Sequence, residues 1–116
     1  VKNAAIPDWL PTGVLPPINP VSPTTVDRSP YRVTLTDLVL RFNTSSERRE
    51  ILTGLLSFRK ALHGLGLNSG FQWLDGSFLE DIVTTDSRPP RDIDVVTFYH
   101  LVISLKLPEF PTDYVF

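Results

Sequence analysis

The chain has 116 residues, 41% of them hydrophobic and 21% charged, which is the composition of one small globular domain. A net charge of −2 excludes a global positive field that would recruit nucleic acid, although a local basic patch remains compatible with it. The absence of cysteine excludes disulfides, zinc–thiolate sites and cysteine nucleophiles. No apolar run approaches the roughly 20 residues that a membrane span needs, and no basic-then-apolar signal opens the chain. A cytoplasmic protein without a membrane role is therefore the default expectation. The chain opens on Val1, contains no methionine, and stops at a strand-like Asp113-Tyr114-Val115-Phe116. A trimmed or naturally short version of a longer domain is expected.

Residues 1–31 read as an arm. Seven of the prolines, from Pro7 to Pro30, interrupt any regular element there, because proline lacks the N–H donor and fixes φ. The arm is not a polar linker, since Ile6, Trp9, Leu10, Val14, Leu15 and Ile18 recur along it. It is expected to wrap over its own domain or to hold a homo- or hetero-oligomeric partner, with Trp9 as anchor. The domain proper is residues 32–116. Thr34 and Asp37 form a capping box for a short helix that places Leu35, Leu38, Val39 and Phe42 on one face. Asn43-Thr44-Ser45-Ser46 offers new caps, Thr44 with Glu47 being a second possible box.

A longer helix is expected from about Ser46 to His63. Its stripe is Ile51, Leu52, Leu55, Leu56, Phe58 and Leu62, with Arg48, Arg49, Arg59 and Lys60 read as a solvated face. Gly64 and Gly66 end it. Phe71 to Leu74 reads as a strand, Gly76-Ser77 as a turn, and Phe78 to Val83 as a short helix or irregular turn. Thr84 to Arg91, with Pro89-Pro90, reads as a loop. Ile93 to Tyr99 reads as a buried strand, His100 to Leu107 as a connection with helix slightly favoured, and Asp113 to Phe116 as a further strand.

The chemistry concentrates between Trp73 and Thr97. Asp92 and Asp94, two residues apart on a strand, are expected to share one face, and like charges so placed call for a cation between them. Mg²⁺ is the natural choice, since it prefers oxygen ligands. Gly76 would let the backbone approach phosphates, Ser77 would donate to a phosphate oxygen, and Arg88 and Arg91 would contact phosphates.

The order Gly76-Ser77, then Asp92-Ile93-Asp94-Val95, resembles the nucleotidyltransferase superfamily that includes DNA polymerase beta and the bacterial minimal nucleotidyltransferases. W-L-D-G-S-F, R-P-P-R-D-I-D-V-V-T-F and R-F-N-T-S-S-E-R-R-E-I-L resemble, more narrowly, an uncharacterised bacterial family of nucleotidyltransferase-like proteins. The resemblance implies an α/β (α+β) fold, a small mixed sheet with helices packed on it. It implies a Mg²⁺ site, of two metals if active, and a third carboxylate on a later strand, for which Asp113 is the candidate. It also implies transfer of a nucleoside monophosphate from an NTP to a protein or RNA hydroxyl, with toxin–antitoxin or antiviral pairs as a setting. Two departures accompany it: the spacing from Ser77 to Asp92 is long, and the chain stops just after Asp113. The alternative is a catalytically incomplete subunit of this fold that binds a partner protein.

Overall fold

The computed structural model describes residues 6–18, 24, 28–100 and 113–116. Most of the connection expected over His100 to Leu107 lies outside the described residues. The fold is α+β: a small mixed sheet with helices against one face. Its elements are β1 (Tyr31–Val33), α1 (Leu35–Phe42), α2 (Ser46–Gly64), β2 (Gly70–Asp75), a 3₁₀ turn (Ser77–Leu79), α3 (Ile82–Asp86), β3 (Asp94–Tyr99) and β4 (Asp113–Val115).

The helices begin where side chains can satisfy their first amides. Thr34 accepts from the Asp37 N–H while Asp37 accepts from the Thr34 N–H, a reciprocal box. At α2 the cap is Ser45, which accepts from the Arg48 N–H, rather than Thr44. Leu38, Phe42, Leu52 and Leu55 turn inward to meet Tyr31, Val33, Leu74 and Val115 from the sheet. The expected loop from Thr84 starts later than anticipated, because α3 runs on to Asp86.

The strand order is β1-β4-β2-β3. β2 and β3 are antiparallel, with Asp75 opposite Asp94, Trp73 opposite Val96 and Phe71 opposite Phe98. β4 lies parallel to β2 and antiparallel to β1. Because side chains alternate along a strand, this register sorts them into two faces. Gln72, Leu74, Asp113 and Val115 point into the core, and all are at most 1% exposed. Phe71, Trp73 and Asp75 share the other face with Asp94, Val96 and Phe98. β3 is therefore an edge strand with Val96, Phe98 and Tyr99 exposed, not the buried strand its β-branched composition suggests. The composition misleads because the apolar side chains cover one another rather than a helix: Phe71 stacks on Phe98 with centroids 4.9 Å apart, and Trp73 packs on Phe98 at 4.8 Å and on Phe116 at 5.4 Å.

Residues 6–18 pack on the domain. Ile6 and Leu15 belong to the core. The indole Nε1 of Trp9 donates to the Leu79 carbonyl at 2.7 Å, and the Tyr31 hydroxyl donates to the Pro16 carbonyl at 2.6 Å. A turn from Leu10 to Val14 sets the Gly13 carbonyl to accept from the Asp81 N–H at 2.8 Å. Gly13 holds φ +85, and a Cβ there would lie 2.5 Å from Thr85 Cγ2. Trp9 and Gly13 are thus fastened to the segment that follows Gly76.

Candidate functional site

β2 delivers Asp75 to its end, and the chain must then turn sharply. Gly76 makes that turn at φ +100, in the region that disfavours a side chain. A Cβ on it would meet only backbone: Asp92 O at 3.0 Å, Asp94 N at 3.2 Å and Ile93 Cα at 3.2 Å. Glycine here therefore brings the two halves of the motif together by main-chain contact. Ser77 then locks them. Its hydroxyl donates to Asp92 Oδ1 and accepts from the Arg91 N–H at 2.9 Å and the Asp92 N–H at 3.3 Å. Its own N–H also donates to Asp92 Oδ1, at 3.0 Å. The Phe78 N–H donates to the Asp92 carbonyl at 3.0 Å.

These bonds change the expected roles. The Ser77 hydroxyl hydrogen goes to Asp92 and not towards a phosphate, and the residue is buried. Asp92 precedes β3 and turns back towards Ser77, so the same-face pairing with Asp94 does not follow from strand alternation. The cross-strand neighbour of Asp94 is Asp75, and side chains in such a pair stand about 5 Å apart at Cβ. Sequence reasoning missed Asp75 because an aspartate before a glycine reads as turn chemistry. Indeed its Oδ1 accepts from the Gly76 N–H at 2.9 Å. A cavity of about 470 Å³ opens over this corner. Asp75, Asp92, Asp94, Gly76 and Arg88 line it, with Val14 and Leu15 of the arm on its apolar side.

Asp113 is not part of this corner. It lies three residues back along the sheet, in register with Gln72, and faces the helices. Its Oδ2 accepts from Arg59 Nη1 at 2.6 Å in an ion pair 9% and 1% exposed. The expectation of a third metal ligand at Asp113 is thereby corrected: strand alternation points it into the core, where Arg59 neutralises it. Arg59 and Arg48, expected on a solvated face, are both buried. Arg48 donates to the carbonyls of Phe78 and Glu80 and sits over the rings of Trp9, Phe42 and Phe78. It pins the turn that follows Gly76. Of the two loop arginines, Arg88 lines the cavity while paired with Asp86 at 2.7 Å. Arg91 instead borders an apolar groove against α2, on the other side of the Asp92 backbone.

The Asp92 carboxyl is held below its ordinary value of 3.8, first by the Ser77 hydroxyl, then by the Ser77 N–H, with Arg88 adding to the shift. A depressed folded-state pKa contributes stability above the ordinary value, and that stability is lost as pH falls through the depressed one. Asp92 is largely exposed, so solvent screening keeps the contribution under about 1 kcal/mol. In denaturation curves, Asp92→Asn should be slightly less stable than wild type at neutral pH. The two should converge as pH drops below the carboxylate range. A gap that persists at acid pH would mean that the Ser77 link acts without the charge.

A family model matches residues 7–111, most of the chain, and so takes in the arm, the turn at Gly76 and Asp92 to Asp94 together. The chain belongs to DUF6932, a family of unknown function. Neither the curated proteins nor the solved structures contain a match. The family match spans the cavity's lining from Val14 to Asp94. No helix among the described residues is long and apolar enough to cross a membrane.

Proposed function

We propose that the cavity binds a nucleoside triphosphate as its Mg²⁺ complex, and that this nucleotidyltransferase-like domain passes the nucleoside monophosphate to a protein or RNA hydroxyl. The observation that carries the reading is the Gly76–Asp92 corner. Gly76 at φ +100 packs against the Asp92 to Asp94 backbone and so sets the cavity beside a cross-strand pair of carboxylates. Among the described residues no three acidic, histidine or cysteine side chains gather closely enough to hold a metal alone. Mg²⁺ brought by substrate commonly takes one or two protein carboxylates and completes its shell with phosphates and water. Asp75 and Asp94 would hold it, with Asp92 across the cavity. The ion, when bound, supplies charge neutralisation for the triphosphate and the departing pyrophosphate.

The chain's own residues do the rest. Arg88 offers positive charge to phosphate oxygens. The acceptor oxygen bonds to the α-phosphorus as the bond to the β-phosphate bridge breaks. Its proton passes to a carboxylate, Asp75 or Asp94, in the place Asp113 does not fill.

The engagement of Asp113 with Arg59 favours a second reading, a domain that binds nucleotide or a partner without transfer. Labelled NTP, Mg²⁺ and candidate protein and RNA acceptors separate the two. Transfer by wild type should fall about a hundredfold or more in Asp94→Asn, the scale on which single charge-stabilising groups count. Equal labelling by the two proteins would sink the transfer mechanism. Nucleotide binding without any transfer would support the second reading.

A further inference from the structure

We infer that the open aromatic face of the sheet is a nucleobase subsite, with Trp73 as the stacking platform; this deepens the nucleotide reading and rests on it. A second cavity, of about 320 Å³, lies on that face between Trp73, Asp75, Asp94, Val96 and Phe116. It shares Asp75, Asp94 and Phe116 with the larger cavity, so the two adjoin at the carboxylate pair. With the Mg²⁺-bound triphosphate held at Asp75 and Asp94, the nucleoside end of the ligand would reach the second cavity, which those two residues also line. The volume is that of a small-ligand pocket and admits one ring system rather than a helix.

The surface chemistry points to the same occupant. Trp73 is 39% exposed and Val96 52% exposed, where burial would be the apolar default. Trp73 is held on two sides by Phe98 and Phe116, the latter at a near-perpendicular 81°. It is therefore fixed in orientation while part of its surface stays open. Rigid, partly exposed aromatic rings are how proteins hold unstacked bases, because every base offers a π-face. Beyond the two carboxylates this cavity is lined by Trp73, Val96 and Phe116, an apolar wall that suits an uncharged ring.

Calorimetry with Mg·ATP and Mg·tripolyphosphate tests this. Wild type should bind Mg·ATP about tenfold more tightly than Mg·tripolyphosphate, the scale of one base–aromatic stack. Trp73→Leu and, separately, Val96→Glu should bring ATP down to the tripolyphosphate level. In a Trp9→Phe background, Trp73 fluorescence should be quenched by ATP and unchanged by tripolyphosphate.

Equal affinity for the two ligands in wild type overturns the subsite while leaving the phosphate site standing. So does an ATP advantage that survives both substitutions, or one lost in Val14→Asp instead, which would put the base against the arm. If Trp73→Leu changes the sedimenting mass and not the ATP advantage, the face belongs to a second copy of the chain and the inference fails. If neither probe binds to wild type, the nucleotide reading itself fails, and the subsite with it.

Discussion

Asp113→Ala is expected to cost the domain about 3–5 kcal/mol of unfolding free energy, the range for removing one member of a buried ion pair. Arg59 would then lose the ion pair that Asp113 gives it in the core, on the helix-covered side of the sheet. Urea denaturation should show the loss as a lower midpoint with an unchanged slope. Arg59→Met combined with Asp113→Leu should restore most of it, since replacing both partners by apolar groups of similar volume is often neutral or better. The outcome bears on function as well. Were Asp113 a metal ligand, Asp113→Ala would leave stability nearly intact and abolish Mg²⁺-dependent nucleotide binding. A near-neutral effect on unfolding would therefore reverse the assignment made from its burial.

Arg48→Met should be the second large loss, about 2–4 kcal/mol, because the carbonyls of Phe78 and Glu80 would lose a buried donor. Methionine keeps much of the volume against Trp9, Phe42 and Phe78, so the effect reports the lost hydrogen bonds together with the lost charge over those rings. Arg48→Lys should recover little of it, since an ammonium lacks the planar fork that reaches two carbonyls at once. Desolvation lowers the Arg48 pKa from its ordinary value, a sign that the charge is held at some cost. Hydrogen exchange gives the local readout. The amides of Leu79, Glu80 and Asp81, which bond to Gly76, Ser77 and Gly13, should exchange faster than those of α2. A stability change within about 0.5 kcal/mol, the usual range for an exposed surface position, would show that Arg48 is not what holds the turn.

Much of this arrangement could be read from local patterns. Thr34 and Asp37 announced α1 through their spacing, and the stripe from Ile51 to Leu62 announced α2. The motif pair Gly76-Ser77 and Asp92 marked the corner that the hydrogen bonds join. What could not be read depends on partners distant in sequence. β1 is three residues long and pairs with β4, which lies much further along the chain. Arg59 looks solvated by helical periodicity, and Asp113, with which it pairs, is 54 residues away. Arg48 satisfies main-chain carbonyls, which leave no side-chain signature. Asp75 joins Asp94 through a strand register that composition does not specify, and the same register gathers Phe71, Trp73 and Phe98 on the open face.

The place of β4 has a consequence for how the molecule is made. It sits between β1 and β2, yet its residues follow all the other elements in the chain. Among the described residues β4 is the strand that pairs with β1, so that pairing must wait until Asp113 to Val115 leave the ribosome. The α2, β2 and β3 region can assemble earlier from nearer contacts, while the insertion of β4 must wait, and contacts between distant segments form slowly. A nascent chain stalled before Asp113 should therefore hold the Gly76 corner in a half-built sheet, with Tyr31 and Val33 exposed to chaperones. The aromatic face would lack Phe116, so the Trp73–Phe116 contact should form only as β4 slots in.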